Sequence, residues 1–292
     1  MANLIHSAAH GPFRMSTNSA TILALEVEVL KSLAEEVAQL RSAVGQLEQK
    51  MEMRAQDILL ATLSEQTPAF MLETEKPVAM DSVDHRFPHG TASDSTRWPR
   101  FVAACERLFG PRLKFLDLGC AGGGLVLDFV LRGHDAMGLE GSDYSLVRQR
   151  AEWRTLKHRL MTCDITQPFK IRRAGGEAMK FDVISAWDVL EHIPEAALPG
   201  LFRNISEHLS PGGIFTGTVS TRGARVAPDG TNYHATVKPK DWWLEAFTAA
   251  GLAFRVPDPF DFEDYPRGNG NNYPANFKAH PETGFHFSLS RA

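Results

Sequence analysis

The chain has 292 residues and a formal net charge of −4, with 43% hydrophobic and 23% charged residues. This composition is typical of a globular protein and leaves room for one large α/β domain with an appendage. The lack of a basic excess argues against nucleic acid as a partner. Three widely spaced cysteines suit neither a disulfide framework nor a zinc cluster, so we expect a cytoplasmic protein. No apolar run has the length of a membrane span.

The N-terminal part predicts a flexible segment over residues 1–21 and a coiled-coil helix over residues 22–63. Apolar residues recur there in alternating steps of three and four, which is a heptad pattern. β-branched residues at heptad position a with leucine at d favour a parallel dimer. The residues concerned are Val37 and Val44 at a, and Leu33, Leu40 and Leu47 at d. We therefore predict a homo-oligomer; the alternative is that this face packs on the chain's own globular domain.

Residues 64–97 are predicted to form a linker or lid before a domain that covers residues 98–292. From Met80 to Trp98 the sequence combines charged and ring-bearing side chains with Pro88 and Gly90. Such a segment either folds over a ligand site of the following domain or is a solvated linker.

The strongest motif runs from Lys114 to Ser145 and reads KFLDLGCAGGGLVLDFVLRGHDAMGLEGSDYS. It predicts a strand, a glycine-rich turn, a helix and a second strand that stops at Glu140. That order begins a nucleotide-binding α/β sheet, and a carboxylate at Glu140 would reach ribose hydroxyls. Small residues in the turn let a ligand approach the backbone; they are Gly119, Ala121, Gly122, Gly123 and Gly124.

The spacing of this turn distinguishes between nucleotides. The dinucleotide fingerprint needs a glycine at the position of Ala121, and no P-loop lysine follows. Read as D-x-G-x-A-x-G from Asp117 to Gly123, the turn resembles the first motif of class I S-adenosylmethionine-dependent methyltransferases. Alanine replaces the middle glycine of that motif, and it is the next smallest residue.

A second motif, KFDVISAWDVLEH, occupies residues 180–192. Its β-branched run predicts a buried central strand that ends at Trp187 and Asp188. It resembles the fourth motif of the same methyltransferases. The resemblance extends from Trp98 to Val256 and includes the closing strand. It implies a Rossmann-like α/β fold, a seven-stranded mixed sheet flanked by helices, whose last strand is antiparallel.

The resemblance also implies S-adenosylmethionine as cofactor. Asp164, after the third strand, would bind the adenine amino group, although it could instead only cap a turn. Ile165 would pack on the adenine ring, and Trp187 would face the methionine part. The implied cofactor-binding residues are Asp117, Gly119, Cys120, Ala121, Gly123, Glu140, Gly141, Asp164, Ile165 and Trp187.

Methyl transfer to oxygen requires alignment of the acceptor and a base near neutral pKa, for which histidine is the usual choice. We predict His234 as this base, because it lies in the long polar loop after the fifth strand. Packing beside Trp242, or capping the helix predicted from Asp241, is its alternative role. Asp188 is the second catalytic candidate, and His192 is expected to be structural. No cluster has a spacing that requires a metal, so no metal ligand is predicted.

Amide, carboxylate and aromatic residues crowd both C-terminal loops, which suits a polyhydroxylated acceptor. The architecture resembles bacterial methyltransferases that modify surface polysaccharides. We therefore predict O-methylation of a sugar or a related small-molecule or glycan acceptor, with a lipid-like or aromatic alcohol as the other acceptor class. Two different functions stay open: a coiled-coil scaffold with a non-catalytic cofactor-binding fold, and an NAD(P)-dependent oxidoreductase.

Overall fold

A computed structural model describes residues 17–64, 70–223, 226–267 and 277–292. The chain divides after Asp57 into two compact units, and each is described here by itself. Residues 1–16 of the predicted flexible N-terminus lie outside the described part.

The described part of the first unit is helix α1 (Thr17–Ser64) up to Asp57. The whole helix is 48 residues long and begins five residues before the predicted Ile22. Its heptad residues are exposed: the apolar side chains from Leu30 to Met51 at positions a and d are between 45% and 65% accessible. The coiled-coil pairing itself stays a prediction.

The second unit contains all of the described strands. They are β1 (Phe70–Thr74), β2 (Lys114–Leu118), β3 (Asp135–Glu140), β4 (Leu160–Thr162), β5 (Phe169–Arg173), β6 (Phe181–Trp187), β7 (Leu209–Ser220), β8 (Leu252–Phe254) and β9 (Gly284–Arg291). The main sheet has seven strands in the order β4-β3-β2-β6-β7-β9-β8. Strand β9 is antiparallel to both of its neighbours, and the other pairs are parallel. The predicted seven-stranded mixed sheet with an antiparallel last strand is thus confirmed.

Helices cover both faces of this sheet and enclose two apolar clusters. On one face Phe101 and Phe129 pack with Val183; on the other, Phe202 and Phe247 pack with Ile184. Adjacent residues of β6 thus enter different clusters, as expected for a central strand buried on both faces. The longer helices are α4 (Pro99–Phe109), α5 (Gly124–Leu131), α7 (Leu198–His208) and α8 (Lys240–Ala249), and the short ones are α2 (Val83–Arg86), α3 (Gly90–Ser93) and α6 (Tyr144–Val147).

Three local features differ from the sequence-based expectation. The antiparallel ribbon that β1 and β5 form was not predicted. Residues 145–155 have a sequence typical of a single helix, but they form α6 and a separate 3₁₀ turn. Gln149 and Ala151 have φ angles of 49° and 47°, which a right-handed helix excludes. Residues 210–213 read Ser-Pro-Gly-Gly, which is typical of a turn, but they lie within β7 at a register irregularity opposite β6.

The strand order fixes where a ligand can bind. The chain moves outward from β2 through β3 to β4, and then returns to place β6 on the other side of β2. Open α/β sheets bind ligands at the carboxyl ends of the strands where the order reverses. Across the described ranges, none of the helices combines the length and apolar character that a membrane crossing requires.

Candidate functional site

A cavity of about 650 Å³ lies at this edge of the sheet. Its wall includes Gly119 and Ala121 after β2, Glu140 at the end of β3, and Trp187 and Asp188 at the end of β6. The volume is within the range of roughly 300–1,000 Å³ that small-molecule sites occupy.

The glycine-rich turn follows β2 in a conformation that most side chains would oppose. Gly119 and Gly123 have φ angles of 72° and 87°, and Ala121 has a φ of 46°. A Cβ on Gly119 would lie 2.5 Å from a methyl carbon of Val189, and one on Gly123 would lie 2.4 Å from a methyl carbon of Leu160. Backbone conformation therefore favours glycine at both positions, and the Val189 side chain adds a steric reason at Gly119.

Two other glycines of the turn contact the protein's own backbone, although the sequence predicted that they would let a ligand approach. A Cβ on Gly122 would lie 2.5 Å from Cβ of Ser95, and one on Gly124 would lie 2.5 Å from the Ser95 carbonyl oxygen. The Gly122 amide also donates to the Asp94 carbonyl at 3.0 Å. The backbone that packs on these glycines is the protein's own segment before α4.

Glu140 is buried, and its carboxylate holds three parts of the site together. Oε1 accepts from the Thr91 hydroxyl at 2.7 Å and from the Ser142 amide at 3.2 Å, while Oε2 accepts from the Ala121 amide at 2.8 Å. Burial raises the pKa of this carboxyl, and the hydrogen bonds oppose that shift. Oε2 accepts this one bond and retains acceptor capacity toward the cavity.

Seven of the ten predicted cofactor-binding residues line the cavity: Gly119, Ala121, Glu140, Gly141, Asp164, Ile165 and Trp187. The other three, Asp117, Cys120 and Gly123, are not among its described lining residues. Asp117 lies beneath the turn, where it accepts from the Ser185 hydroxyl at 2.6 Å, and burial raises its pKa to about 7. Cys120 is buried against Gly138.

Asp164 caps a turn and also lines the cavity, while its predicted bond to adenine stays a proposal. Its Oδ1 accepts from the amide and the hydroxyl of Thr166, at 3.0 and 2.6 Å, as a turn cap does. The same residue faces the cavity next to Ile165. Trp187 also lines the cavity; its ring packs edge-on against Phe101, and its Nε1 has no hydrogen-bond partner within the described part of the chain.

The segment between β1 and α4 forms one side of the cavity. Ser82, Asp84, His89, Thr91 and Asp94 all line it. The Tyr233 hydroxyl donates to the Phe87 carbonyl at 2.6 Å, and Arg267 forms an ion pair with Asp94. Part of the predicted linker or lid, residues 64–97, thus contributes to the site.

Both predicted catalytic residues lie in the cavity wall. The Nδ1 of His234 is 2.7 Å from the Arg222 carbonyl oxygen. Because a carbonyl only accepts, this nitrogen carries the proton, and Nε2 of the neutral ring keeps its lone pair. Burial lowers the pKa of His234. Helix α8 starts after Pro239 with no side-chain cap, so the alternative capping role of His234 is not observed.

Asp188, the second candidate, has a positive φ of 53°, which is uncommon for a residue other than glycine. Its Oδ1 accepts from the Thr218 hydroxyl at 2.6 Å, and Thr218 belongs to the adjacent strand β7. Arg267 places Nε at 4.0 Å from Oδ2. A hydrogen bond from β7 and the more distant charge of Arg267 therefore act on the carboxylate.

The structure brings together a cluster that sequence reasoning missed. Ligand atoms of Glu191, His192 and His234 all lie within 4.8 Å of one another, a donor set that several divalent cations accept. Glu191 accepts from the Ser220 amide at 3.0 Å through Oε1, whereas Oε2 is buried without a partner among the described residues. Burial raises the pKa of Glu191 to about 8, and the Asp188 charge adds to the shift.

His192 is oriented by a carboxylate from α2. Its Nδ1 lies 2.7 Å from Oδ2 of Asp84, and its ring is 4.9 Å from that of His234. Burial opposes protonation of His192, but the bond and the charge of Asp84 outweigh it and raise the pKa. The sequence signal was present: the E-H pair follows β6, His234 follows β7, and adjacent parallel strands end at the same edge.

Comparison with known proteins identifies the class of domain. A family model described as "Methyltransferase domain" matches residues 88–263. A ubiquinone biosynthesis O-methyltransferase of Acinetobacter baumannii (strain AYE) is 26% identical over 143 residues, which are 44% of this chain and 59% of that protein. The enzyme of the same name from Citrobacter koseri is 27% identical over 190 residues, or 58% of this chain and 76% of that one. The match thus spans less than two thirds of the Acinetobacter relative.

Among solved structures, the glycopeptide N-methyltransferase MtfA complexed with sinefungin aligns with a TM-score of 0.46 and 15% identity. The alignment covers 68% of this chain and 95% of that one.

Proposed function

The chain belongs to the methyltransferase-domain family, and from this premise we propose that it methylates a hydroxyl oxygen of a sugar or a related small-molecule or glycan acceptor. Membership agrees with the family, the enzyme class and the cofactor that the two sequence motifs predicted. It argues against the NAD(P)-dependent oxidoreductase. The choice of oxygen, the acceptor class and the roles of individual residues are our proposals.

The observation that carries the proposal is the tautomer of His234 in the cavity wall. Its Nδ1–H donates to the Arg222 carbonyl, so Nε2 is the proton acceptor that an attacking hydroxyl needs. Burial lowers the pKa of His234 and favours the neutral ring near pH 7. A methyl acceptor that carries no proton would not need such a group.

The residues of the cavity fit S-adenosylmethionine. The glycine turn leaves its backbone exposed to the cavity, and Glu140 retains acceptor capacity on Oε2 for ribose hydroxyls. Asp164 would accept from the adenine amino group, with Ile165 against the ring and Trp187 beside the methionine part. When bound, the cofactor supplies a methyl group already activated by its positively charged sulfur.

The chain's own residues then position the acceptor and remove its proton. His234 accepts the proton at Nε2, and the Arg222 carbonyl keeps its ring oriented. Asp188, held by Thr218 and next to Arg267, orients the hydroxyl by accepting its hydrogen bond. Alignment of the acceptor accounts for much of the rate gain in such transfers.

A second role for the same side chains is supported by the Glu191, His192 and His234 cluster. A divalent cation held there would polarise the acceptor hydroxyl as a Lewis acid. His234 would then be a ligand through Nε2 and would not act as the base. The chelation experiment described in the Discussion separates the two roles.

Side chains of the cavity wall support the acceptor class that we propose. Rings of His89, Tyr233 and Phe277 line the cavity together with Arg222 and Arg267. Stacking faces beside polar groups suit a sugar ring. They also suit an aromatic alcohol, which is the second candidate. The relatives named ubiquinone biosynthesis O-methyltransferase support oxygen as the atom that is methylated.

Calorimetric titration with S-adenosylhomocysteine, and with NADH in parallel, tests the proposal first. We expect micromolar binding of S-adenosylhomocysteine and none of NADH. Mass spectrometry of reactions with sugars and with aromatic alcohols should then show a gain of one methyl group on oxygen. Binding of the cofactor product without transfer to any acceptor would favour the non-catalytic scaffold, and binding of NADH alone would overturn the proposal.

A further inference from the structure

Helix α1 exposes a continuous apolar stripe. Its heptad a and d side chains from Leu30 to Met51 are 45–65% accessible. Contiguous apolar surface of this kind marks an interaction site. The repeat of 3.5 residues is the pattern by which one helix packs along another.

We propose that α1 pairs with α1 of a second copy in an antiparallel orientation, with the two-fold axis between Gly45 and Gln46. In this register Val44 of one copy lies opposite Leu47 of the other, and Leu40 lies opposite Met51. The pairing is self-complementary, as a two-fold interface must be. It does not depend on the identity of the methyl acceptor.

Arg54 selects the antiparallel orientation. It occupies a d position, where a parallel in-register pair would place the two Arg54 side chains against each other. The antiparallel register places Arg54 of one copy opposite Val37 of the other. Glu36 is next to that Val37 in the sequence, so its carboxylate is available to Arg54. The valines at a favour the parallel pair predicted from sequence, but Leu30 and Met51 at other a positions weaken that preference.

The charges that flank the apolar stripe select the register. Heptad position e carries Arg41 and Glu48. In an antiparallel pair, e faces e, so Arg41 meets Glu48 of the second copy, and the two-fold axis repeats this contact. A shift by one heptad toward the N-terminus would place the two Arg41 side chains against each other. Flanking charges of this kind set partner choice and orientation in coiled coils.

Position g contributes less to the antiparallel pair. In the proposed register Ala43 falls opposite Lys50, which is a neutral match. A parallel pair would match each g residue with the e residue five positions further on, so Glu36 would meet Arg41. The two orientations therefore give Arg41 different partners, and this difference can be tested.

Sedimentation equilibrium of the full chain with charge variants tests the orientation. We expect a dimer whose dissociation constant rises about tenfold in Arg41→Glu, because two attractive contacts per dimer become repulsive. Arg41→Glu combined with Glu48→Arg should restore the affinity, because residues 41 and 48 at position e then carry opposite charges again. In a parallel pair the glutamate introduced by Arg41→Glu would still face Glu36, so failure of the double variant to recover would overturn the proposal. Lys31→Glu, with the same charge change at position b, is the matched control.

Disulfide trapping gives an independent readout. Val37→Cys and Arg54→Cys chains, oxidised as a mixture, should form a disulfide-linked heterodimer, and neither variant should link to itself. Self-linking of the Val37→Cys chain, or a monomer at micromolar concentration, would overturn the proposal. The native thiols Cys105, Cys120 and Cys163 are buried and should remain unlinked in the unaltered chain, which serves as the control.

Discussion

At the scale of single residues, Glu140 holds parts of the site together and is also the residue that we propose for the ribose contact. Its carboxylate accepts from Thr91, Ser142 and Ala121, and so joins the segment before α4, the end of β3 and the glycine turn. The same carboxylate faces the cavity, where we assign it to ribose hydroxyls. A change at Glu140 therefore affects both the ligand and the turn, and a test must separate the two effects.

Glu140→Ala should weaken S-adenosylhomocysteine binding by about ten- to a hundredfold, because charged hydrogen bonds contribute about 1.5–3 kcal/mol each. Calorimetry measures the affinity. Thr91→Val is the matched control: it removes the Thr91–Glu140 bond but leaves the carboxylate in place. We expect it to bind within about threefold of the unaltered chain. Equal losses in the two variants would mean that Glu140 acts only through the organisation of the turn.

The protonation state of His234 determines the second residue-scale prediction. Burial lowers the pKa of His234 below the usual imidazole pKa of about 6.5. The ring is therefore mostly neutral at any pH above this lowered pKa. If His234 accepts the acceptor's proton, kcat/KM should rise with pH through that lowered pKa and then level off. His234→Ala should keep cofactor affinity, slow transfer by about a hundredfold or more, and lose this inflection.

Chelation distinguishes the base from a metal ligand. Under the base assignment, kcat of the unaltered enzyme after EDTA treatment and dialysis should equal that of the untreated enzyme. Loss of transfer, with recovery on adding Mg²⁺, Mn²⁺ or Zn²⁺, would instead assign His234, Glu191 and His192 to a cation. An unchanged pH profile and rate in His234→Ala would exclude both roles.

At the scale of elements, sequence periodicity predicted the sheet because its strands have strong local signals. The runs around Phe115 and Val183 are apolar, are bounded by glycine or acidic residues, and are buried as expected. The β1–β5 ribbon could not be predicted in this way. Its strands alternate buried and exposed residues over five positions and pair across a long sequence separation.

The break between α6 and the following 3₁₀ turn was missed for a different reason. Residues 145–155 contain no glycine or proline that would mark an interruption. The positive φ angles at Gln149 and Ala151 accompany tertiary bonds: Arg150 donates to the Thr91 and Asp94 carbonyls, and the Glu152 amide donates to the Gly122 carbonyl. Helix propensity depends on the local sequence and therefore cannot predict such tertiary hydrogen bonds.

In the site too, local sequence motifs predicted some residues, whereas contacts between distant elements could not be predicted. The residues on the glycine turn and at the strand ends were predicted, because motif spacing fixes them. The Asp84–His192 pair and the Glu191–His234 proximity were not, since each joins elements that are distant in sequence. Metal-ligand spacing in sequence therefore gave no signal, although strand adjacency would have brought these groups to one edge.

At the scale of the whole molecule, the two units differ in whether each has an apolar core of its own. Both apolar clusters, and every described residue that lines the cavity, fall between Phe70 and Leu289. The described side chains of α1 from Leu25 to Arg54 are exposed. The second unit thus contains a complete apolar core and the whole described site, whereas α1 has an apolar stripe and no core of its own.

A chain that begins at Ile58 should therefore keep its fold and its cofactor site while losing self-association. We expect a melting temperature within about 2 °C of the full chain, since half a kilocalorie per mole shifts Tm by about 1–2 °C in a domain of this size. S-adenosylhomocysteine affinity should be unchanged, and light scattering should give a monomer. Phe101→Ala in the full chain is the contrasting variant, because removing this fully buried ring should cost about 3–5 kcal/mol and lower Tm without changing the oligomeric state. A shortened chain that stays dimeric would place the self-association surface in the second unit, and one that unfolds would mean that residues 1–57 complete its core.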